Sequence, residues 1–163
     1  MHRRTLLLAI ALAPCAQTLA RADETPRDIV AKLYRLSAGA NGKYDGPSAF
    51  FDAKARRAHF SKSLNAALDT LDRAAKKKGE GGLDFDPITN SQDPSVNDLR
   101  IAQDGPAAVT ASFQPEGAQK RLEIKYAFVQ EGGAWRLDTM SGVAGDEPWE
   151  LRKLVKILTD ELK

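Results

Sequence analysis

The chain has 163 residues, with 24 basic and 22 acidic side chains, one cysteine and two histidines. Cys15 lies in an amino-terminal stretch expected to be removed, so disulfides, thiolate catalysis and Cys-ligated zinc are excluded from the mature protein. Arg3, Arg4 and Arg21 fall in the same acid-free stretch, which leaves residues 23–163 with 21 basic against 22 acidic side chains and no global field for nucleic acid or an anionic membrane.

Met1-His2-Arg3-Arg4 is a basic start, residues 5–13 are apolar, and Ala20-Arg21-Ala22 has the small-x-small pattern that signal peptidase reads. This predicts a secretory signal peptide over residues 1–22, cleavage after Ala22 and a periplasmic mature protein. The apolar run is too short to span a bilayer. A lipid anchor on Cys15 is disfavoured because Pro14 stands where a lipobox needs a small residue. Arg3-Arg4 followed by Leu6 and Leu7 suits either the general or the twin-arginine export route. Nothing after residue 22 predicts a membrane span, and residues 23–163 have the length of one domain.

The first helix is expected from Thr25. Thr25 can cap, Pro26 suits the first turn and Asp28 completes a capping box. Ile29, Val30, Leu33, Tyr34 and Leu36 recur at helical spacing until Gly39 and Asn41-Gly42 stop them. Asp45-Gly46-Pro47 is a turn, and Phe50-Phe51 is expected to tuck a short loop onto the core. One second helix is predicted over residues 53–78, with Phe60, Leu64, Ala67, Leu68, Leu71 and Ala75 as its apolar face. Lys76-Lys77-Lys78 complement the negative end of its dipole and Gly79 supplies the left-handed cap. The lysine run reads as a solvated helix end, with an anion patch as the alternative.

Residues 79–98 break the pattern: five acids (Glu80, Asp84, Asp86, Asp93 and Asp98) and no lysine or arginine. Residues 54–78 carry eight basic side chains against two acids, so charge is segregated along the chain. Long loops in compact domains are often functional. Calcium binding fails on spacing, because Ile88 stands where an EF-hand needs Asp or Asn. Contact with a basic partner is a second reading. The structural one makes Asn90, Asp93 and Asp98 turn and cap residues, with Phe85 and Ile88 anchoring the loop.

From Asp98 the period changes to two. Leu99 and Ile101 make a strand, Asp104-Gly105-Pro106 turns it, and Val109, Ala111 and Phe113 alternate with polar or small residues. After Pro115-Glu116-Gly117, Leu122, Ile124, Tyr126 and Phe128 alternate with Arg121, Glu123, Lys125 and Ala127. Gly132-Gly133 closes a hairpin into Trp135, Leu137 and Thr139. The result is an antiparallel meander whose apolar face needs helices to cover it. Glu147-Pro148 is expected to open a last helix with an apolar stripe of Trp149, Leu154, Val155, Ile157, Leu158 and Leu162.

Leu83-Asp84-Phe85-Asp86-Pro87-Ile88 with Gln92-Asp93, then Gly132-Gly133 before Trp135-Arg136-Leu137-Asp138, resembles the family catalogued as domain of unknown function 3828, small exported proteins of Gram-negative bacteria. The resemblance runs from about Pro26 to Leu162, and its distinctive part is the Phe-Asp-Pro-Ile segment with Gln92-Asp93. It implies an α+β fold with helices on a curved antiparallel sheet, cone-shaped in the nuclear-transport-factor-two or cystatin-like manner, and it supplies no activity and no catalytic residues.

Enzymes of that fold place an acid or base inside the cone, but fold does not confer chemistry. If Val109, Phe113, Leu122, Ile124, Tyr126, Phe128, Trp135 and Leu137 face inward, then Arg121, Glu123, Lys125, Arg136 and Asp138 face out. The Tyr126 hydroxyl and the Trp135 indole are then the polar tips inside, without the titratable partner that acid–base catalysis needs. His59 precedes the core residue Phe60 and is expected in solvent. Ser61 and Ser63 lack the glycines of a nucleophile elbow, and Gly79, Gly81 and Gly82 lack the Lys-Ser or Lys-Thr of a phosphate loop. No cofactor or metal is implied.

The expectation is therefore a non-catalytic exported binding or interaction domain. Its partner would be a small molecule or a periplasmic protein. The candidate binding residues are Asp84, Asp86, Gln92, Asp93, Tyr126 and Trp135. One alternative is a small-ligand binder or weak enzyme using a pocket in the cone. Another is an inhibitor or immunity-type protein presenting the acidic loop. A lined cavity inside would favour the pocket, and an interior filled by aromatic side chains would favour the loop.

Overall fold

The computed structural model describes residues 24–163; the expected signal peptide and its cleavage point lie outside the described residues. The elements are α1 (Pro26–Ala38), α2 (Ala53–His59), α3 (Lys62–Lys78), β1 (Asn97–Gly105), β2 (Ala108–Gln114), β3 (Leu122–Glu131), β4 (Ala134–Ala144), β5 (Glu147–Glu150) and α4 (Leu151–Glu161). The architecture is α+β: four helices against an antiparallel sheet of strand order β1-β2-β3-β4-β5 that does not close.

α1 begins as its sequence dictates. The Thr25 side chain accepts from the Asp28 amide, Asp28 reaches back to the Thr25 amide, and Pro26 follows the cap. Its face of Ile29, Val30, Leu33 and Tyr34 is buried against β1, β2 and β4. In the sheet, Val109 lies opposite Tyr126, Ala111 opposite Ile124 and Phe113 opposite Leu122, which stacks the inward side chains in rows. Glu123 and Lys125 point to solvent, as alternation requires.

Three expectations need correction. The single helix over 53–78 is two helices, because Phe60 is extended at φ −95°, ψ 154°. There the chain borrows a partner from the sheet: the Ser61 N–H donates to the Leu137 carbonyl at 2.8 Å. Ser61 also caps α3, accepting from the Leu64 amide at 3.0 Å. Helical periodicity runs through the break because Phe60 remains buried on either geometry. Asn65 then closes it, its side-chain amide donating to the carbonyls of Arg56, Phe60 and Ser61.

Glu147-Pro148 does not open the last helix but forms β5, with Trp149 on a strand. Gly145, at φ 63°, turns β4 back on itself, and Gly142 pairs with Trp149 across the hairpin. α4 starts one turn later, where the Glu150 carboxylate accepts from the amides of Arg152 and Lys153. The Pro148 ring does not obstruct this, since an edge strand tolerates a missing donor.

His59 is the third correction. It is 4% exposed, not solvated. It ends α2, and its Nδ1 lies 3.7 Å from a Glu24 carboxylate oxygen. Burial holds its pKa below 6.5, with Lys32 and Arg136 pushing the same way and Glu24 opposing them. The unfolded chain therefore binds this proton more tightly. His59 contributes stability above about pH 6.5 that is lost as the pH falls through the folded-state value. The urea midpoint is expected to drop between pH 7.5 and pH 5.5, and to drop less in His59→Leu, which keeps the bulk without the titration.

Candidate functional site

The 79–98 segment is a built wall. After the left-handed Gly79, Gly82 packs on the Leu71 side chain and Phe85 meets the Trp149 ring edge-on at a centroid distance of 5.4 Å. Asp86 then organises a tight reversal. Its carboxylate accepts from the Ile88 amide at 2.9 Å and the Thr89 hydroxyl at 3.0 Å, and its own N–H donates to the Ser91 carbonyl at 3.0 Å. Burial raises its carboxyl pKa above the ordinary value, against the pull of these hydrogen bonds.

The reversal is tied to the core at two points. Ile88 is fully buried, and its carbonyl accepts from the Tyr34 hydroxyl at 2.8 Å, which in turn accepts from Tyr126 at 3.2 Å. Asn90 sits at φ 54°, a conformation its short amide tolerates. Its amide donates to the Val143 carbonyl at 2.8 Å while its side-chain oxygen accepts from the Trp149 indole at 2.7 Å.

The facing wall is the loop between α1 and α2. The Ser37 hydroxyl accepts from the Ala49 amide at 3.0 Å, and Asn41 holds Asp45 by both carboxylate oxygens. Tyr44 is buried at φ 60°, and Phe51, expected in the core beside Phe50, is 49% exposed on this wall. Between the walls runs an open groove of about 900 Å³. It carries the carboxylates of Asp45, Asp84, Asp86, Asp93 and Glu116 against one ammonium group, that of Lys43.

Of the six residues nominated from sequence, Asp84, Asp86, Gln92 and Asp93 line this groove. Tyr126 and Trp135 do not meet them. Tyr126 is buried in the core, where desolvation holds its phenol far above the ordinary pKa, and Trp135 lies half-buried on β4. Asp45, Lys43, Phe51 and Glu116 join the groove without having been nominated. Asp45-Gly46-Pro47 and Pro115-Glu116-Gly117 are legible as turns, but no local signal says that two turns 70 residues apart converge on the 79–98 wall.

The space between sheet and helices is filled. Tyr34, Phe60, Phe113, Ile124 and Tyr126 are each no more than 2% exposed, and the Tyr34 and Phe113 rings meet edge to face at 6.0 Å. Asp138, expected to face out, is half-covered. It occupies a bulge, since Ala127 pairs with Thr139 and Phe128 with Leu137. There it accepts from the Ser61 hydroxyl at 2.7 Å and pairs with Arg152. Ser61 is fully buried and hydrogen-bonded both ways, so this Ser–Asp pair serves packing and offers no nucleophile to a substrate.

Among the described residues no three His, Cys, Asp or Glu groups are placed to hold a metal ion, and no helix is long and apolar enough to cross a membrane. No model of a known protein family, no curated protein and no solved structure matches the chain.

Proposed function

We propose that this protein is an exported, non-catalytic interaction domain whose acidic groove receives a cationic segment of a protein partner. The observation that carries the reading is the convergence of four exposed carboxylates, Asp45, Asp84, Asp93 and Glu116, on one groove from three loops, with the 79–98 wall pinned by the Asp86 reversal. Pre-organised walls reduce the ordering cost of binding. Clustered like charge in a concavity steers and holds the opposite charge. The filled interior favours this reading over a ligand pocket within the cone. Export rests on residues 1–22, and membership of the domain-of-unknown-function-3828 family rests on the 83–93 motif. The cone-shaped, nuclear-transport-factor-two-like form of the sheet is part of the same proposal, supported by the bulge in β4, a device that bends strands.

Asp84, Asp93 and Glu116 are exposed and can be neutralised together without touching the buried Asp86. A fluorescent hexalysine peptide is the probe, read by anisotropy. The wild type is expected to bind it with an affinity that falls as salt rises. Asp84→Asn, Asp93→Asn and Glu116→Gln combined are expected to weaken binding at least tenfold at low salt. Equal binding by wild type and the triple variant removes the proposal.

A further inference from the structure

His59 borders a second hollow, of about 350 Å³, the low end of the range for small-molecule sites. Pro47 separates it from the acidic groove and lines both, yet the two have opposite chemistry. This hollow has Lys32 and Leu36 of α1 on one side and Lys54, Ala55 and Ala58 of α2 on the other. Its one carboxylate, Asp52, is committed to capping α2, accepting from the Ala55 amide at 2.7 Å. Lys32 shares its charge with Glu24 at 3.4 Å.

The imidazole is the unexplained group. His59 is more than nine-tenths buried, and among the described residues its Nδ1 has no hydrogen-bond partner. The nearest acceptor, Glu24, is at 3.7 Å, beyond hydrogen-bond reach. A buried polar atom left unpaired is costly and calls for an explanation.

We propose that this hollow binds a short-chain monocarboxylate. Its carboxylate sits among Lys32, Lys54 and the His59 ring, and its hydrocarbon tail lies on Leu36, Ala55 and Ala58. The bound anion supplies the charge that favours an imidazolium. The doubly protonated ring then offers its other N–H to the ligand and places its positive charge beside the Glu24 carboxylate, 3.7 Å from Nδ1. Lys32 and Arg136 disfavour that proton, while Glu24 and the ligand favour it. Binding therefore takes up a proton and tightens as the pH falls from 7.5 to 5.5.

The site is independent of the acidic groove, and its test does not involve it. The chain has two histidines, His2 and His59, so ring signals in a nitrogen-15 correlation spectrum are readily assigned. Butyrate is the probe, at constant ionic strength set with sodium chloride. It is expected to shift the His59 ring signals saturably and to raise the ring's titration midpoint, whereas butylammonium and butyramide do neither. Lys54→Gln, an exposed change, is expected to weaken butyrate several-fold while leaving the ring signals of the free protein in place. A ring that titrates identically with and without butyrate overturns the proposal, as does a shift that chloride reproduces or equal binding by Lys54→Gln.

Discussion

Gly142→Val is expected to lower stability by about 1–3 kcal/mol, the usual cost of overpacking, and to loosen the groove wall with it. A side chain at Gly142 places its Cβ 3.0 Å from Cζ2, 3.1 Å from Cε2 and 3.2 Å from Nε1 of Trp149. The indole lies flat over this glycine because β4 and β5 bring the two residues into register. The same indole meets Phe85 edge to face and its N–H holds Asn90. Displacing the ring therefore strikes the Phe85 contact and the indole bond to Asn90, and leaves the 79–98 segment held to β4 by the Asn90 bond to the Val143 carbonyl. The measurement is a urea titration together with amide hydrogen exchange at Ile88 and Thr89. Both the midpoint and the protection are expected to fall. A lower midpoint with unchanged protection would mean that Trp149 stabilises the hairpin without holding the wall.

Asp138→Ala is expected to cost about 2 kcal/mol, within the range for hydrogen bonds to a charged group. The carboxylate joins three elements: it takes the Ser61 hydroxyl at the α2–α3 break and the Arg152 guanidinium from α4, while sitting in the β4 bulge. Its removal leaves a fully buried hydroxyl without an acceptor and Arg152 with the Ser63 hydroxyl and the Asp138 carbonyl. Both charged side chains are about a third exposed, so water screens the ion pair and the Coulombic share is small. Asp138→Asn keeps an acceptor for Ser61 and is expected to lose less than half as much. Equal losses for Ala and Asn would show that the charge, not the acceptor, matters.

How far the fold can be read from sequence depends on whether a residue's partner is local. The first cap is local: Thr25, Pro26 and Asp28 determine where α1 starts, and it starts there. The strand alternation of β2 and β3 is local too, and Val109, Phe113, Ile124 and Tyr126 are inside. The α2–α3 break is not. Phe60 stays buried in a helix or out of one, and the choice is made by the Leu137 carbonyl, remote in sequence. The burial of His59 is not local either, since its neighbours Glu24, Lys32 and Arg136 are remote in sequence. β5 was hidden because Glu-Pro before an apolar stripe is also a helix start, and the Gly142–Trp149 pairing that decides the matter is tertiary.

The candidate site divides in the same way. Asp84, Asp86, Gln92 and Asp93 stand out as an acidic tract, and all four line the groove. Asp86 belongs there as the buried organiser of the turn, not as an exposed charge. Asp45 and Glu116 are single acids in turns, and only the folded chain brings them to the tract. Tyr126 was nominated for its polar tip, which is spent on Tyr34.

Binding of a cationic segment in the acidic groove is tested by amide chemical-shift mapping on addition of hexalysine at low ionic strength. Perturbations are expected to be confined to residues 43–51, 83–95 and 116 and to be abolished in the Asp84→Asn, Asp93→Asn, Glu116→Gln variant. Perturbations that spread evenly over every acidic surface of the protein, or that persist unchanged in the variant, would contradict binding in the groove.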